Sequence, residues 1–305
     1  MRVNKTSFNK WALLLGMLPA ILFYVAMGLG PSLMTFVLSF TDISGVPGVP
    51  WKFIGLANYR EFFVQQSQRD LLQVVKNTLM FCGYVTVLQN AIALPIALAL
   101  NTKLIKGKDF YRAVIFLPVV LGVLVTSLTW LAVMNPMDGP VSKLLGLLGV
   151  TSGFFTSSSL ALPLIIFCQI WMAMGYSMVI NLAGLQSIPN ELYEAGRIDG
   201  ATDWKVFKHI TFPMLWPTIN SNLLLAVIGS LQSFQIILFT TGGKNMVTQT
   251  MAARVIFWGF NLNAGSGAGT MRQGFGATWA MVLFVFILAA TLIYQRTVGR
   301  RQLEV

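Results

Sequence analysis

Reactive side chains are few and far apart in this chain. The single histidine is His209, and the two cysteines, Cys82 and Cys168, stand inside apolar runs, where a thiol is usually buried rather than paired. A metal centre or a histidine-based triad needs several such groups together. The sequence Gly242-Gly243-Lys244 lacks the earlier glycine and the following Ser or Thr of a phosphate-binding loop. The sequence therefore predicts no enzyme activity, no metal and no nucleotide bound on this chain.

Uncharged polar side chains inside apolar segments are the groups that remain for recognising a solute. Gln169, Met172 and Tyr176 follow helical spacing and share one face. Amides and hydroxyls are costly to expose to lipid, so they face either a helix interface or a water-filled cavity. A sugar offers hydroxyls to an amide and a stackable face to a phenol. The predicted solute-path residues are Gln169, Met172, Tyr176, Ser230, Ser233 and Thr126. Asn222 belongs to the same polar region of the fifth segment as Ser230 and Ser233. The alternative is that these side chains only hold helices together.

The composition is that of a polytopic membrane protein. The 305 residues are 55% hydrophobic and 10% charged, and the mean hydropathy is +0.70. A membrane-crossing helix needs about 20 apolar residues. The fold expected is all-α with six transmembrane helices in a single domain over 1–305; the six segments are 12–40, 78–100, 113–134, 160–185, 215–239 and 276–294.

The six segments contain no Asp, Glu, Lys, Arg or His. Carriers driven by protons or sodium usually place ionisable groups in the membrane, where those groups carry or exchange the coupling charge. Any energy for active transport must therefore come from another chain.

Basic residues predict the orientation of the chain. One set of loops and both tails carry thirteen of the 21 Lys and Arg residues, and the three longer opposite loops carry eight. The richer set is expected in the cytoplasm, together with both termini and the loop 187–213. This set consists of Arg2, Lys5, Lys10, Lys103, Lys106, Lys108, Arg112, Arg197, Lys205, Lys208, Arg296, Arg300 and Arg301. The net charge of +11 is thus explained by topology and not by nucleic-acid binding.

The loop 187–213 is the most polar stretch between two long apolar segments. Pro189 suits a first helical position, and Glu194 falls in the first turns, where the helix dipole favours a carboxylate. Gly200 allows a tight turn, and Asp203 opens a second short helix that ends before Pro213. The apolar residues of this second helix follow helical spacing: Trp204, Phe207 and Ile210. Two short helices with apolar residues on one side suit a docking element for a partner protein.

Two outer segments are expected to form helices. The stretch 53–63, FIGLANYREFF, mixes aromatic and charged residues as interfacial helices do. A short apolar helix is also predicted near 251–260.

The loop 187–213 resembles a motif of a known family. Glu194-Ala195-Gly196, Gly200, Ile210 and Pro213 match the spacing of the EAA loop of ABC-importer permeases, although Gly196 and Phe212 stand where Ala and Leu are usual. Together with FIGLANYREFF, Phe116-Leu117-Pro118 and Thr241-Gly242-Gly243, the pattern resembles the carbohydrate-uptake branch, whose members include maltose-, lactose- and glycerol-phosphate-type subunits. The resemblance implies a type I ABC importer permease fold and ATP-driven movement of a sugar or oligosaccharide across the cytoplasmic membrane.

The resemblance also implies partners. They would be a second, non-identical permease, two copies of a cytoplasmic ATPase that binds ATP-Mg, an extracytoplasmic solute-binding protein, the sugar and membrane lipid. The residues expected to couple to the ATPase are Glu194, Ala195, Gly196, Asp199, Gly200, Ala201, Trp204, Phe207, Ile210 and Pro213. Two alternatives stay open: a permease of another ABC branch, for an amino acid or other small solute, and a facilitator that needs no ATP.

Overall fold

The structure is a computed structural model that describes residues 10–65, 68–102, 105–242, 246–260 and 271–298. Several residues used in the sequence patterns lie outside these ranges: Arg2, Lys5, Lys103, Gly243, Lys244, Arg300 and Arg301. Within the ranges the chain is helical apart from its loops, and one isolated antiparallel bridge joins Thr41 to Phe53. The all-α prediction is confirmed.

Fourteen α-helices follow one another along the described chain. They are α1 (Lys10–Tyr24), α2 (Gly30–Leu38), α3 (Ala57–Arg60), α4 (Gln68–Asn101), α5 (Lys108–Val120), α6 (Val123–Val133), α7 (Pro140–Gly146), α8 (Ala161–Gln186), α9 (Asn190–Ile198), α10 (Asp203–Val206), α11 (Phe212–Gln232), α12 (Gln235–Thr241), α13 (Met251–Phe260) and α14 (Gln273–Thr297). The predicted helices of the outer loops correspond to α3 and α13.

Five helical stretches in the described chain are long and apolar enough to cross a membrane. They are Leu15–Leu38, Arg69–Asn101, Ala161–Gln186, Asp203–Gln232 and Gln273–Thr297. The helices α5 and α6 pass the same test only as a pair, so the described residues provide up to six spans.

The structure corrects the third predicted segment, 113–134. It is not one straight helix, because α5 and α6 meet at an angle of 99°. Leu121 and Gly122 are extended at this break, with ψ of 127° and 150°. Pro118 removes one backbone donor from the preceding turn, and glycine has a weak helix preference, so the helix is easily interrupted here.

The fifth predicted segment, 215–239, is corrected at both ends. The second short helix of the loop does not exist as a separate unit, because Asp203–Gln232 is one continuous helical stretch. A π-helical turn at Phe207–Thr211 precedes Pro213, and its wider winding accommodates a proline that cannot donate and would crowd a regular helix. The stretch then ends at Ser233, where ψ is 118°, and α12 is separate.

The helix α8 lies at the centre of the bundle and packs against α4, α5 and α11. Two glycines of α8 allow neighbouring helices to approach it closely. A Cβ atom at Gly175 would stand 2.5 Å from the carbonyl oxygen of Ile115 in α5, and one at Gly184 would stand 2.6 Å from Thr218 Oγ1 in α11. Small residues let helix backbones pack closely where no hydrophobic effect drives association.

Polar contacts tie the loop that follows the first span to the ends of two spans. The buried Asn58 side chain donates to the carbonyl oxygens of Ser39, at 3.0 Å, and Thr41, at 2.8 Å. Arg272 donates to both carboxylate oxygens of Glu61 at 2.6 Å. These hydrogen bonds raise the pKa of Arg272, which therefore stays charged. The interfacial segment is thus fixed against the start of α14.

The contact at Gly184 leads to a stability prediction. Gly184→Ala should lower the melting temperature of the purified chain, since overpacking a helix contact costs about 1–3 kcal/mol. Gly229→Ala in α11 is the matched control, because no atom lies within 4 Å of the added Cβ. A melting curve of each variant in detergent makes the comparison. Equal melting temperatures for Gly184→Ala and the wild type would contradict a tight contact between α8 and α11.

Candidate functional site

The loop 187–213 is built on a firmly terminated helix. The structure places Pro189 at the N-cap of α9, one residue before the expected position. At the other end Gly200 adopts φ +71°. Its N–H donates to Arg197 O at 3.1 Å, and the N–H of Ala201 donates to Gly196 O at 2.9 Å. This pair of bonds is a Schellman motif, which satisfies the last carbonyls of a helix and requires a left-handed residue.

The helix α9 rests on the π-helical turn that leads into α11. Gly196 is buried, and a Cβ atom there would stand 3.0 Å from Ile210 Cδ1. Thr211 Oγ1 donates to the Tyr193 hydroxyl at 3.4 Å, so a second contact joins the two elements. Glycine in place of the usual alanine therefore lets α9 approach Ile210 more closely. Gly196 and Ile210 thus form an internal contact, in which Gly196 is buried and Ile210 is partly exposed.

The exposed side of the loop carries two large apolar side chains. Ile198 is 86% exposed and Trp204 is 69% exposed. The Trp204 ring stacks on Phe207 with centroids 5.6 Å apart, which fixes its direction. Exposed apolar residues grouped on one loop mark an interaction surface. Sequence reasoning found Trp204 but missed Ile198, whose signal was an isoleucine directly before Asp199 and Gly200, where the helix ends.

The remaining predicted coupling residues differ in their exposure. Glu194, Ala195, Asp199 and Gly200 are exposed, and Ala201, Phe207 and Pro213 are partly exposed. Within the part of the chain that the structure describes, Glu194 forms no ion pair, so its carboxylate is available to another protein.

Two of the predicted solute-path residues are brought together. Ser233 Oγ donates to Gln169 Oε1 at 3.3 Å, between the break that follows α11 and the middle of α8. Tyr176, 48% exposed, lies two turns further along α8, and Met172 lies between them, partly buried. Gln169, Met172 and Tyr176 therefore share a face that is at least partly accessible.

Thr126 and Ser230 lie in buried positions. Thr126 in α6 is fully buried, and its hydroxyl has no hydrogen-bond partner among the described residues. The Ser230 hydroxyl donates to the carbonyl oxygen of Val227 in its own helix at 3.0 Å. Neither hydroxyl is open to a solute in this conformation.

A buried polar network joins three spans between the loop and this face. Gln89 Nε2 donates to Ser177 Oγ at 2.6 Å, and Ser177 Oγ donates to Asn222 Oδ1 at 3.1 Å. Asn222 Nδ2 donates back to the carbonyl oxygen of Ser177 at 3.1 Å. Sequence reasoning included Asn222 in a polar region but missed Gln89 and Ser177, because a single polar residue in an apolar run does not reveal its partner.

These features define a multi-pass helical membrane protein with an exposed loop between its fourth and fifth spans. Residues 71–302 match the family described as the inner membrane component of binding-protein-dependent transport systems. The chain belongs to this family. The resemblance to ABC-importer permeases is therefore confirmed.

Individual relatives agree with this membership. The chain is 30% identical to the trehalose/maltose transport system permease protein MalF of Thermococcus litoralis, over 95% of this chain and 93% of that protein. It is 27% identical to the arabinooligosaccharides transport system permease protein AraP of Bacillus subtilis, over 92% and 86% of the two chains. It is 31% identical to the sn-glycerol-3-phosphate transport system permease protein UgpA of Agrobacterium fabrum, over 83% of each.

A solved structure shares the fold. The chain superposes with a TM-score of 0.79 on a subunit of a bacterial ABC transporter that imports the acidic polysaccharide alginate, at 22% identity and over 95% of this chain and 96% of that one. The type I permease fold is thus confirmed.

Membership in the family has direct consequences. The chain is a transport component of the inner membrane and not an enzyme. Such a component works with an ATPase and with a solute-binding protein.

The Schellman motif generates a testable prediction. Gly200→Ala should speed hydrogen exchange of the amides at positions 200 and 201, because a side chain in the left-handed region costs about 1–2 kcal/mol. Gly200→Asn is the matched control and should change exchange less, since asparagine tolerates this conformation. Exchange followed by mass spectrometry measures the difference. Wild-type protection in Gly200→Ala would contradict a strained turn at this position.

Proposed function

We propose that the chain is one permease subunit of an ATP-driven importer for a sugar or oligosaccharide. The observation that carries the proposal is the 30% identity to a trehalose/maltose permease over 95% of the chain. A relative named for arabinooligosaccharides and one named for multiple sugars support the same substrate class.

The solute is proposed to be neutral. The accessible face of α8 offers an amide at Gln169 and a phenol at Tyr176, and the predicted spans contain no Lys, Arg or His to pair with an anion. Hydroxyl groups of a sugar satisfy such neutral groups, whereas a buried anion would need a cation or several donors. Relatives named for glycerol phosphate make a phosphorylated solute the main alternative.

The assembly is proposed to contain a second, non-identical permease and two copies of a cytoplasmic ATPase, which binds ATP-Mg; this chain holds no cofactor of its own. A solute-binding protein would deliver the sugar at the outer loops. Both termini and the loop 187–213 would lie in the cytoplasm, as the distribution of basic residues indicates.

The loop 187–213 is proposed to be the coupling element that sits in a groove of the ATPase. Ile198 and Trp204 would fill the groove, and Glu194 and Asp199 would contact its edge. Because Asp203–Gln232 is one helical stretch, a displacement of Trp204 passes directly into the fifth span. Closure of the ATPase dimer on ATP would in this way turn the permease pair from inward-facing to outward-facing.

The experiment that tests this assignment is purification of the tagged chain from its native membrane, with the ATPase that comes with it. Trp204→Asp should reduce the recovered ATPase at least about tenfold, because a central aromatic contact often contributes 2 kcal/mol or more. Trp51→Asp, which alters an exposed tryptophan of the outer loop, is the matched control and should leave ATPase recovery unchanged. If the chain comes without an ATPase and carries solute into liposomes without ATP, it is a facilitator and the assignment is wrong.

The proposed solute path makes a second prediction. With maltose, trehalose, arabinooligosaccharides and glycerol 3-phosphate as probes, the wild-type complex should take up a neutral sugar. Gln169→Leu combined with Tyr176→Leu should lower that uptake about tenfold, since each lost hydrogen bond contributes about 0.5–1.5 kcal/mol. Recovery of the ATPase should stay the same. Tyr84→Leu in α4, also an exposed tyrosine, is the control; equal uptake by the double variant and the control would remove both residues from the path.

A further inference from the structure

We propose that Gln89, Ser177 and Asn222 act as positioning residues for transport: they form a clasp that makes three spans move together, so that displacement of the loop 187–213 reaches the solute-path face. The inference rests on the proposed function, and it assigns the transmission step to three named side chains. None of them touches the solute or the ATPase.

The clasp joins α4 and α11 to α8 through hydrogen bonds that meet at Ser177. Ser177 accepts from Gln89 and donates to Asn222, and the Asn222 amide returns a bond to the backbone of Ser177. Gln89, Ser177 and Asn222 are 5%, 0% and 1% exposed. Water therefore does not compete for these bonds, and each amide keeps its partner only in one register of the helices.

The register matters because most side chains around the clasp are apolar, although the buried Asn181 amide lies one turn along α8. The residues packed nearby include Met178 and Leu182 of α8 and Ile219 and Leu223 of α11. A slide of α11 along α8 would separate the Asn222 amide from Ser177 and leave the Ser177 hydroxyl without its present acceptor. Unpaired polar groups inside a membrane protein are costly, so α8 and α11 move as one body while the clasp holds.

The clasp lies between the loop and the solute-path face. Ser177 directly follows Tyr176, and Gln169 is about 12 Å further along α8 at 1.5 Å per residue. Toward the loop, the tight contact of Gly184 with Thr218 already fixes the inner ends of α8 and α11. Asn222 is therefore the next fixed point on the fifth span, and Gln89 extends the fixed body to α4.

Hydrophobic packing alone does not supply this constraint. The packing of Gly184 against Thr218 fixes only the ends of α8 and α11 near the loop, whereas the directional bonds of Ser177 and Asn222 act beside Tyr176. Loss of the clasp should therefore allow α11 to follow the loop while α8, and Tyr176 with it, lags behind. The importer would then hydrolyse ATP without moving solute.

The test uses the complete importer, reconstituted in liposomes with the partner proteins recovered with the wild type. The probe is whichever of maltose, trehalose and arabinooligosaccharides the wild type takes up. The triple variant Gln89→Leu, Ser177→Ala, Asn222→Leu removes every polar side chain of the clasp, so no member is left buried without a partner. We expect it to assemble and to hydrolyse ATP, while the amount of solute moved per ATP falls about tenfold, a size usual for coupling between sites.

Two further variants complete the design. Ser177→Ala alone is the smallest change, so it remains informative if the triple variant fails to assemble; we expect a several-fold lower ratio of solute to ATP. Ser221→Ala is the matched control, because the Ser221 side chain is exposed and its hydroxyl donates to the carbonyl oxygen of Pro217 in its own helix. It should keep the wild-type ratio.

The outcomes separate this inference from the proposed function. If the wild type moves sugar and Ser177→Ala and the triple variant keep its ratio of solute to ATP, the network only holds the fold and the inference is overturned. If the wild type moves no sugar with ATP, the proposed function fails and the inference falls with it. A lower ratio at equal assembly supports the clasp, because a purely structural defect would reduce uptake and ATP hydrolysis together.

Discussion

The interior of a bilayer offers no hydrogen-bond partner to a backbone N–H or C=O group, and the rest of this structure depends on that constraint. It explains why the described chain is helical wherever it is apolar and why interruptions are few. The break at Leu121 and Gly122 follows a proline, and the break at Ser233 occurs where its hydroxyl bonds Gln169. Side chains inside the spans obey the same rule, since the Gln89 and Asn222 amides both find partners on other helices.

The loop 187–213 shows how a membrane protein can present a rigid surface outside its apolar spans. The Schellman motif at Gly200 terminates α9, and the contact between Gly196 and Ile210 holds α9 against the start of the fifth helical stretch. The π-helical turn allows the chain to pass Pro213 without a break. Ile198 and Trp204 are consequently displayed on a support that continues into the membrane domain.

Family membership and physical structure answer different parts of the functional question. Membership gives the class, an inner membrane component that works with a binding protein and an ATPase. The structure adds the features on which the proposed sites for force and solute rest: exposed apolar side chains on the loop, an accessible face on α8 and a buried network between them. The uncharged character of that face is what favours a neutral sugar over an anion.

Much of this protein was predictable from its sequence because membrane insertion and loop signals are local. Long apolar segments, the basic loops, the glycine turn at Gly200 and the face shared by Gln169 and Tyr176 all follow from residues close together in the chain. The tertiary structure alone decided the angle at Gly122, the union of the second loop helix with the fifth span, the inward direction of Ile210 and the burial of Thr126. It also decided the clasp, whose partners are 88 and 45 residues apart. Such pairs are set by which helix faces pack together, and packing of lipid-like surfaces leaves no periodic signal in the sequence that distinguishes one apolar neighbour from another.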